Sequence, residues 1–461
     1  MIYINKSIES KCTKLPLYKK ISKSLDSCRK ETAVNALMTG FSSSYITPFA
    51  LAMDASAGFI SILFSLPEFL GSLIQLFTLR IINIFSRKKI LLASVVVESF
   101  LWLPIVLTPF IDYNRLYLLL LLIVLQYSLR FLQEPIYNSI LGDWIPANQR
   151  GMFFGRRQKI IGILTSAGAF IAGFILNSFS NVNKISGFVI IFIISMVLRF
   201  ISTKYIGGFY IQKYVPTKRS IPFYSFIKNI KHDNFGNFVL YISFFKLCVA
   251  IASPFFAVYM LEHLRLSYME FTLVTLASII ARFLLIDFWG KLIDKQGSRS
   301  ILILSGLFIP IIPIAWIFFR QVFALFMLQF ISGFLWAGFD LASSSYLFDS
   351  TSRKDRITLN SYHNFIRSLG TFSGALLSIV LLRLPLQLYQ NKLLFLFFVS
   401  GALRFIATFI FGLKIREARL IEVKVGGDTN KQHINIYPSP EVMFQLVDKK
   451  GRIKTASYKR N

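Results

Sequence analysis

Long apolar blocks are the feature that most constrains how this chain can fold. Residues 94–110 (SVVVESFLWLPIVLTPF), 116–129 (LYLLLLLIVLQYSL) and 301–319 (ILILSGLFIPIIPIAWIFF) are each about as long as an apolar stretch that crosses a bilayer, or belong to one. A soluble core does not need so many such segments. Of the 461 residues, 54% are hydrophobic and only 16% are charged, against about 25% charged in an average soluble domain. We therefore predict an all-α polytopic membrane protein.

The apolar blocks predict twelve transmembrane helices. Their approximate bounds are 32–54, 57–81, 90–110, 116–143, 157–178, 186–206, 236–260, 267–293, 300–319, 321–349, 358–382 and 391–413. Most of the 51 Lys and Arg residues fall in the tails and in alternate loops, all on one side. The loops on the other side hold Arg115, Lys184, Arg265, Arg320, Arg383 and Lys392. The positive-inside rule then predicts cytoplasmic termini in a multi-pass protein of the inner or plasma membrane.

The net charge of +29 is explained by this topology, together with attraction to anionic lipid, rather than by nucleic-acid binding. The longest basic loop divides the helices into two groups of six. The expected organisation is a basic N-terminal tail (1–31), a six-helix bundle (32–206), a central loop (207–235), a second bundle (236–413) and a polar, solvated cytoplasmic C-terminal tail (414–461).

The two groups of six helices repeat a polar pattern at an offset of 206 residues. In each half an acid precedes a second acid by nine residues, and an Arg follows that second acid by seven. The repeat-related pairs are Glu134 and Asp340, Asp143 and Asp349, Arg150 and Arg356, and Gly168 and Gly374. Such coincidence in an apolar background predicts two pseudo-symmetric bundles.

A charged decapeptide, GKLIDKQGSR, lies between the eighth and ninth predicted helices, from Gly290 to Arg299. The first half has a related loop at an offset of about 211 residues, but with Asn83 where the second half has Asp294. In this loop the glycines are expected to permit close approach and a tight reversal. The charged side chains are expected to pair with neighbouring helix ends.

With these motifs the chain resembles the major facilitator superfamily over about residues 30–413. The decapeptide matches that family's G-x-L-x-D-[RK]-x-G-x-R loop at Gly290, Leu292, Asp294, Lys295, Gly297 and Arg299. Residues 143–157 also resemble a pattern of some poorly characterised bacterial members. The resemblance implies a transporter that alternates between inward- and outward-facing states, with its substrate near mid-membrane between the halves.

Similar loops in the family help to lock the cytoplasmic gate. The resemblance and the repeat together predict a gate made of Gly290, Asp294, Lys295, Gly297, Arg299, Asp349 and Arg356, with Arg87, Asp143 and Arg150 as the corresponding set in the first half. A basic loop that serves topology alone is the alternative.

Ionisable side chains inside the predicted helices are costly and usually face a partner or a cavity. They are Arg130, Arg199, Lys246, Arg282, Arg367, Arg404, Glu68, Glu98, Glu134, Asp287 and Asp340. The family's first, fourth, seventh and tenth helices line its central cavity, which implies that Lys246 and Asp340 face the same space as the fourth helix.

Arg130 and Glu134, at i and i+4, are expected to pair. With Lys246 and Asp340 they are the candidate polar part of the pathway, and Glu68, Asp287 and Arg282 are further candidates. The alternative is that these charges form buried structural pairs. Glu98 is expected to pair within its own half, while Arg199 and Arg404 are expected to reach the headgroups.

No ATP-binding loop, metal-binding cluster or catalytic motif occurs in the sequence. We therefore predict no enzyme, no cofactor and no metal. The predicted function is secondary transport of a small organic solute by a monomer in contact with lipid, with proton coupling as a hypothesis based on the intramembrane acids. The alternatives are efflux of amphipathic compounds, which the fifth helix disfavours because it lacks a Gly-Pro motif with paired glycines, and a non-transporting receptor or scaffold. A lipid-modifying enzyme would need a catalytic cluster that the sequence lacks.

Overall fold

The computed structural model describes residues 16–145, 150–180, 183–211, 222–351 and 355–418, and three strands further along the chain. Twelve membrane segments are labelled in chain order. They are α1 (Pro16–Ser42 and Ile46–Ala52), α2 (Ala57–Leu76, extended by Thr78–Ile84), α3 (Arg87–Leu107), α4 (Arg115–Trp144), α5 (Arg150–Phe179), α6 (Lys184–Gly207), α7 (Asn234–Ala250, Phe255–Val258 and a π-turn Tyr259–His263), α8 (Tyr268–Gln296), α9 (Ser298–Phe308 and Ile311–Ala315), α10 (Val322–Ser350), α11 (Arg356–Arg383) and α12 (Lys392–Ile410).

In the described ranges, eleven of these segments, α2 to α12, are long and apolar enough to cross a membrane. Helical backbone satisfies its own hydrogen bonds, which a lipid environment requires. The remaining segment, α1, packs in the same bundle, but it is broken at residues 43–45, where the sequence has a run of serines before Pro48. Because the break divides its apolar part into two short pieces, α1 lacks the uninterrupted apolar length of the other segments. Counted together with α2 to α12, it gives the twelve segments predicted from sequence.

The repeat inferred from sequence is visible in the packing. Gly168 of α5 lies against Leu37 O of α1, at 2.7 Å from where a Cβ would stand, and Gly374 of α11 lies against Leu247 O of α7 at 2.1 Å. The two glycines are 206 residues apart in the chain. Each therefore permits the same close approach between the first and fifth helices of its own half.

Two pairs of helices join the halves along most of their length. Between α2 and α11, Ser61 Oγ lies 2.9 Å from Ser378 Oγ, and Asn364 Nδ2 donates to Gln75 Oε1 at 3.0 Å. Between α5 and α8, Gly173 packs on Thr272. These two seams hold the halves together.

Aromatic side chains close the end of the molecule that is predicted to face outward. Tyr45 is fully buried, and its hydroxyl donates to Ala169 O at 2.6 Å and lies 2.8 Å from Thr272 Oγ1. Phe188 of α6 meets Tyr268 of α8 edge to face, with ring centroids 5.7 Å apart. Three segments of the first half are thereby packed against the start of α8.

Both ends of the chain differ from the sequence prediction. The first helix begins at Pro16 rather than near residue 32, so the basic residues before the apolar stretch continue the helix beyond the membrane. In the polar C-terminal tail, for which a solvated extension is expected, Asn435–Ile436, Val442–Val447 and Ile453–Tyr458 form an antiparallel sheet, β1 to β3. The fold is therefore all-α only within the membrane part.

Candidate functional site

A buried acid, Glu98 of α3, organises the charges of the first half. It is fully buried and accepts hydrogen bonds from Arg130 Nε at 2.8 Å, Arg199 Nη2 at 2.5 Å and Gln133 Nε2 at 3.0 Å. The expectation that Glu98 pairs within its own half is confirmed. The expected pair of Arg130 with Glu134 is wrong. The Arg130 guanidinium binds the fully enclosed carboxylate of Glu98 instead of Glu134, which is four residues away on the same helix.

The expectation that Arg199 and Arg404 reach the lipid headgroups is also wrong. Both side chains are buried, with 4% and 3% of the residue exposed. Arg199 is held by Glu98, by Gln133 Oε1 at 2.7 Å and by Asn35 Oδ1 at 3.0 Å. Arg404 has only a long hydrogen bond of 3.4 Å to Val249 O among its described contacts. Both stems run into the bundle rather than along its outer surface.

A polar cavity of about 210 Å³ adjoins the Glu98 network. Its wall includes Asn35, Arg130, Glu134, Tyr137, Asn138 and Arg157. Tyr137 donates to Glu31 Oε2 at 2.6 Å, and the Arg157 guanidinium lies over the Tyr137 ring at 5.1 Å. The cavity is on the side predicted to face the cytoplasm, and Glu134 is exposed in it.

The second half arranges its candidates differently. Arg282 Nη1 of α8 donates to Asp340 Oδ2 of α10 at 2.8 Å, so Asp340 is paired within its own half. The Lys246 ammonium lies 4.3 Å from the ring centroid of Trp336, which is a cation–π contact. Repeat logic placed Glu134 and Asp340 at equivalent positions, but only Asp340 has a described cation within ion-pair distance.

Two ion pairs cross from one half to the other. Arg367 Nη2 of α11 is 2.9 Å from Glu68 Oε1 of α2, and Lys159 Nζ of α5 is 2.5 Å from Asp287 Oδ2 of α8. Glu68 and Asp287 are candidates from sequence, but sequence reasoning missed Lys159. It lies in the basic run GRRQK, where the pattern indicates only the boundary between a loop and a helix.

The decapeptide ends α8 and begins α9. Gly297 has φ 85°, a left-handed conformation that favours glycine, so the expected reversal is present. Gly290 is different, because a Cβ there would meet only Leu341 Cδ2 at 3.9 Å. That distance is ordinary contact, and the expected close approach at Gly290 is therefore wrong.

The partners of the decapeptide were only partly anticipated. Arg299 donates from its backbone N to Glu417 Oε2 at 2.9 Å and from Nε to Ile415 O at 2.5 Å. These contacts hold it to the chain that follows α12 rather than to Asp349 or Arg356. Arg356 donates to Thr351 and to Phe348 O. Lys295 lies in the last turn of α8, and Asp294 and Asp349 are exposed and engaged in further interactions.

In the first half, Arg87 Nη2 lies 2.7 Å from Asp143 Oδ2, and its Nη1 donates to Ser139 Oγ at 2.8 Å. The repeat comparison placed Arg87 and Asp143 in one set, and the structure brings them together. Arg150 begins α5, but its side chain lies outside the described residues, as does that of Asn83. Within the described ranges, no group of three or more His, Cys, Asp and Glu residues could hold a metal ion.

Comparisons with known proteins agree on one class. The family model of the Major Facilitator Superfamily matches residues 32–245 and 234–432, which correspond to the two halves. A crystal structure of a mutant of the nucleoside transporter NupG superposes with a TM-score of 0.66 at 11% identity, covering 86% of this chain and 100% of that chain. At that identity the likeness shows the fold alone. No curated protein matches the sequence significantly.

Proposed function

This chain belongs to the Major Facilitator Superfamily, a family of transporters rather than enzymes, and we propose on that premise that it moves a small organic anion together with protons. The transport class follows from the family and from the match to a transporter fold. The anion and the proton are our own inference from the charges inside the membrane segments. The rocking of two half-bundles about a midplane site is the mechanism that such a fold supports.

The inference depends on the unpaired charges. The sequence predicts eleven ionisable residues inside the membrane helices. Eight of them form ion pairs within 4.0 Å in the described structure, and Lys246, Glu134 and Arg404 do not. An unpaired charge at membrane depth is costly and is normally retained for function. Arg404 is enclosed by its own bundle, whereas Lys246 and Glu134 both retain some exposure.

Lys246 is suited to bind the charged group of an anion. An ammonium is a strong donor to carboxylate or phosphate oxygens, and here no described side chain neutralises it at close range. The partly exposed ring of Trp336 forms an aromatic surface beside it, and the buried rings of Phe245 and Phe339 pack against Trp336, with Trp336 and Phe339 edge to face at 5.5 Å. A solute with an anionic group and a ring or apolar part fits this surface best.

Glu134 is suited to carry the proton. Its carboxylate has no cation within ion-pair distance among the described residues, so binding a proton removes an uncompensated charge. Its repeat partner Asp340 already has Arg282. Loading one proton at Glu134 with one monovalent anion at Lys246 would make the loaded carrier no more charged than the empty one, which favours its reorientation.

The test is transport by purified protein in proteoliposomes with an imposed pH gradient. A thermal-shift screen of aromatic and aliphatic organic anions first selects the solute, since ligands raise the stability of the native state. Neutral nucleosides, suggested by the fold likeness to a nucleoside transporter, form the contrasting arm. We expect anions to be concentrated by the gradient and nucleosides not to be. Uptake of the selected anion that ignores the gradient would overturn proton coupling.

Two substitutions separate the two roles. Lys246→Met is expected to weaken anion binding by about 10- to 100-fold, the loss of one charge-assisted hydrogen bond. Glu134→Gln is expected to retain anion binding and exchange but to lose concentration by the pH gradient. Lys19→Gln, at an exposed position of α1, is the control for a change of charge. If a stabilising ligand binds but no solute crosses the membrane in any variant or in the parent, the chain is a receptor rather than a carrier.

A further inference from the structure

A second cavity, larger than the one beside the Glu98 network, lies at the inner end of the C-terminal half. Its volume is about 900 Å³, and it is bounded by the start of α7, the start of α9 and the chain that follows α12. Four basic side chains line it: Lys231, Arg299, Lys414 and Arg416. The proposed carrier mechanism does not use this cavity.

Among the described residues of its wall, Glu417 is the one acid, and it is already engaged. Its carboxylate accepts from Ser298 Oγ at 3.1 Å and from the backbone N of Arg299 at 2.9 Å. Those bonds fix the acid to the first turn of α9. The described part of the cavity wall is therefore left with an excess of positive charge.

The backbone that carries these basic side chains is held in place. Asn234 makes two hydrogen bonds to the backbone of Arg416, accepting from its N at 2.9 Å and donating to its O at 3.0 Å. Tyr346 of α10 donates to the same carbonyl at 2.9 Å. These contacts fix the backbone position of Arg416 while its side chain remains exposed.

Apart from Asn237, the remaining described wall is apolar and lies where two membrane segments reach the interface. Leu240, Phe411 and Leu413 line this side. Leu413 is 57% exposed at the end of the last membrane segment, which runs to Lys414. The cavity therefore combines a cationic part at the membrane surface with an apolar part at the start of the hydrocarbon region.

We propose that this cavity binds the phosphate group of an anionic phospholipid, with the acyl chains alongside Leu240 and Leu413. Basic pockets between membrane helices on the cytoplasmic side are suited to anionic headgroups. A soluble phosphate shares the same chemistry at the cationic part but would not use the apolar wall. A bound lipid would connect α7, α9 and the segment after α12, and so stabilise the second half.

The experiment measures thermal unfolding of the purified full-length chain in detergent, with added phosphatidylglycerol, phosphatidylcholine or inorganic phosphate. We expect phosphatidylglycerol to raise the Tm by several degrees and phosphatidylcholine to raise it little. The double variant Lys231→Gln/Arg416→Gln should lose most of the phosphatidylglycerol shift. Because Arg416 is held through its backbone, the variant should unfold at the parent temperature without lipid.

A matched control removes two charges elsewhere on the same predicted face. Lys19→Gln/Lys23→Gln alters exposed positions of α1 and should keep the full shift. Equal shifts in parent and Lys231/Arg416 variant, or in both double variants, would overturn the site, as would an equal response to the two lipids. A shift with inorganic phosphate alone that the Lys231/Arg416 variant loses supports a phosphate site and assigns its source to solution.

Discussion

The N-terminal half neutralises its buried arginine within itself, whereas the C-terminal half leaves the corresponding arginine without an acid among the described residues. Arg199 of α6 meets Glu98 of α3, but Arg404 of α12 meets a backbone carbonyl. The reason is visible in sequence, because α9, from Ser298 to Ala315, has no acidic residue. At this repeated position the arginine is therefore neutralised by an acid in the first half and enclosed without a described acid in the second.

The same difference extends to the membrane charges as a set. Those of the first half are two basic and three acidic residues, and those of the second are four basic and two acidic. Two described ion pairs cross the interface. Glu68 of the first half pairs with Arg367 of the second, and Asp287 of the second half pairs with Lys159 of the first. Among these eleven residues the first half has one acid in excess and the second half two bases in excess, and we expect the substrate to meet an excess base of the second half.

The difference between the halves is tested most directly by replacing Glu98. Glu98→Gln removes the acid that binds Arg130 and the buried Arg199, which then keeps only Glu31 Oε1 at 3.9 Å, and removing one partner of a buried pair costs about 3–5 kcal/mol. We expect a loss of that size in the free energy of unfolding, measured by chemical denaturation in detergent. The matched change in the other half is Arg404→Met, which removes an unpaired charge and keeps most of the volume. It should cost less than about 1 kcal/mol or stabilise; equal losses would refute the asymmetry.

The repeat-related glycines test what the halves share. Gly374→Ala places a Cβ 2.1 Å from Leu247 O, and Gly168→Ala places one 2.7 Å from Leu37 O. Overpacking of this kind costs about 1–3 kcal/mol, with the larger loss expected at Gly374 because its neighbour is closer. Unfolding of both variants is compared with Gly155→Ala, where a Cβ meets no atom within 4 Å and should not destabilise the helix. Losses no greater than at Gly155 would contradict the close packing.

The ion pairs between the halves provide a finer comparison. A double-mutant cycle on Glu68→Gln and Arg367→Gln should give a coupling of about 1 kcal/mol, since both side chains are mostly enclosed. The cycle on Lys159→Gln and Asp287→Asn should give about 0.5 kcal/mol or less, because those side chains are 46% and 61% exposed. The couplings are read from unfolding in detergent. A stronger coupling at Lys159 would reverse this ranking of the two seams.

The smallest effect on stability is expected at the decapeptide. Asp294→Ala changes an exposed residue and should alter the free energy of unfolding by no more than about 0.5 kcal/mol. Transport in proteoliposomes should nevertheless fall while ligand binding persists, if the loop acts as a gate. Asn83→Ala in the first half should reduce transport less, because that copy of the motif already lacks the acid. Loss of ligand binding in a folded Asp294 variant would count against the gate.

The sequence predicts the membrane segments well because their signal is local. Apolar length and the distribution of Lys and Arg give helix positions to within a few residues for most segments. The start of α1 lies about sixteen residues before the predicted one, because a basic helix that leaves the bilayer has no apolar signal. The strands of the C-terminal tail escape prediction for a related reason, since a short strand in a polar segment resembles a loop.

The sequence predicts side-chain pairing poorly because pairing is not local. Spacing along α4 predicted that Arg130 pairs with Glu134, but Arg130 pairs with Glu98, 32 residues away in the sequence. Arg299 likewise meets Glu417, 118 residues later. The residues that spacing did identify correctly, Arg87 with Asp143, came from comparing the two halves rather than from one helix. Internal symmetry thus supplied information that a single segment could not.

The position of the Glu98 network has a consequence for biosynthesis. All of its members, from Asn35 to Arg199, precede the central loop in the chain. A ribosome therefore finishes the whole network before it begins α7, so the first half can neutralise its charges in the membrane while the second is still being made. Arg367, by contrast, emerges late and finds Glu68 already inserted. The first half can serve as the template on which the more positively charged second half assembles.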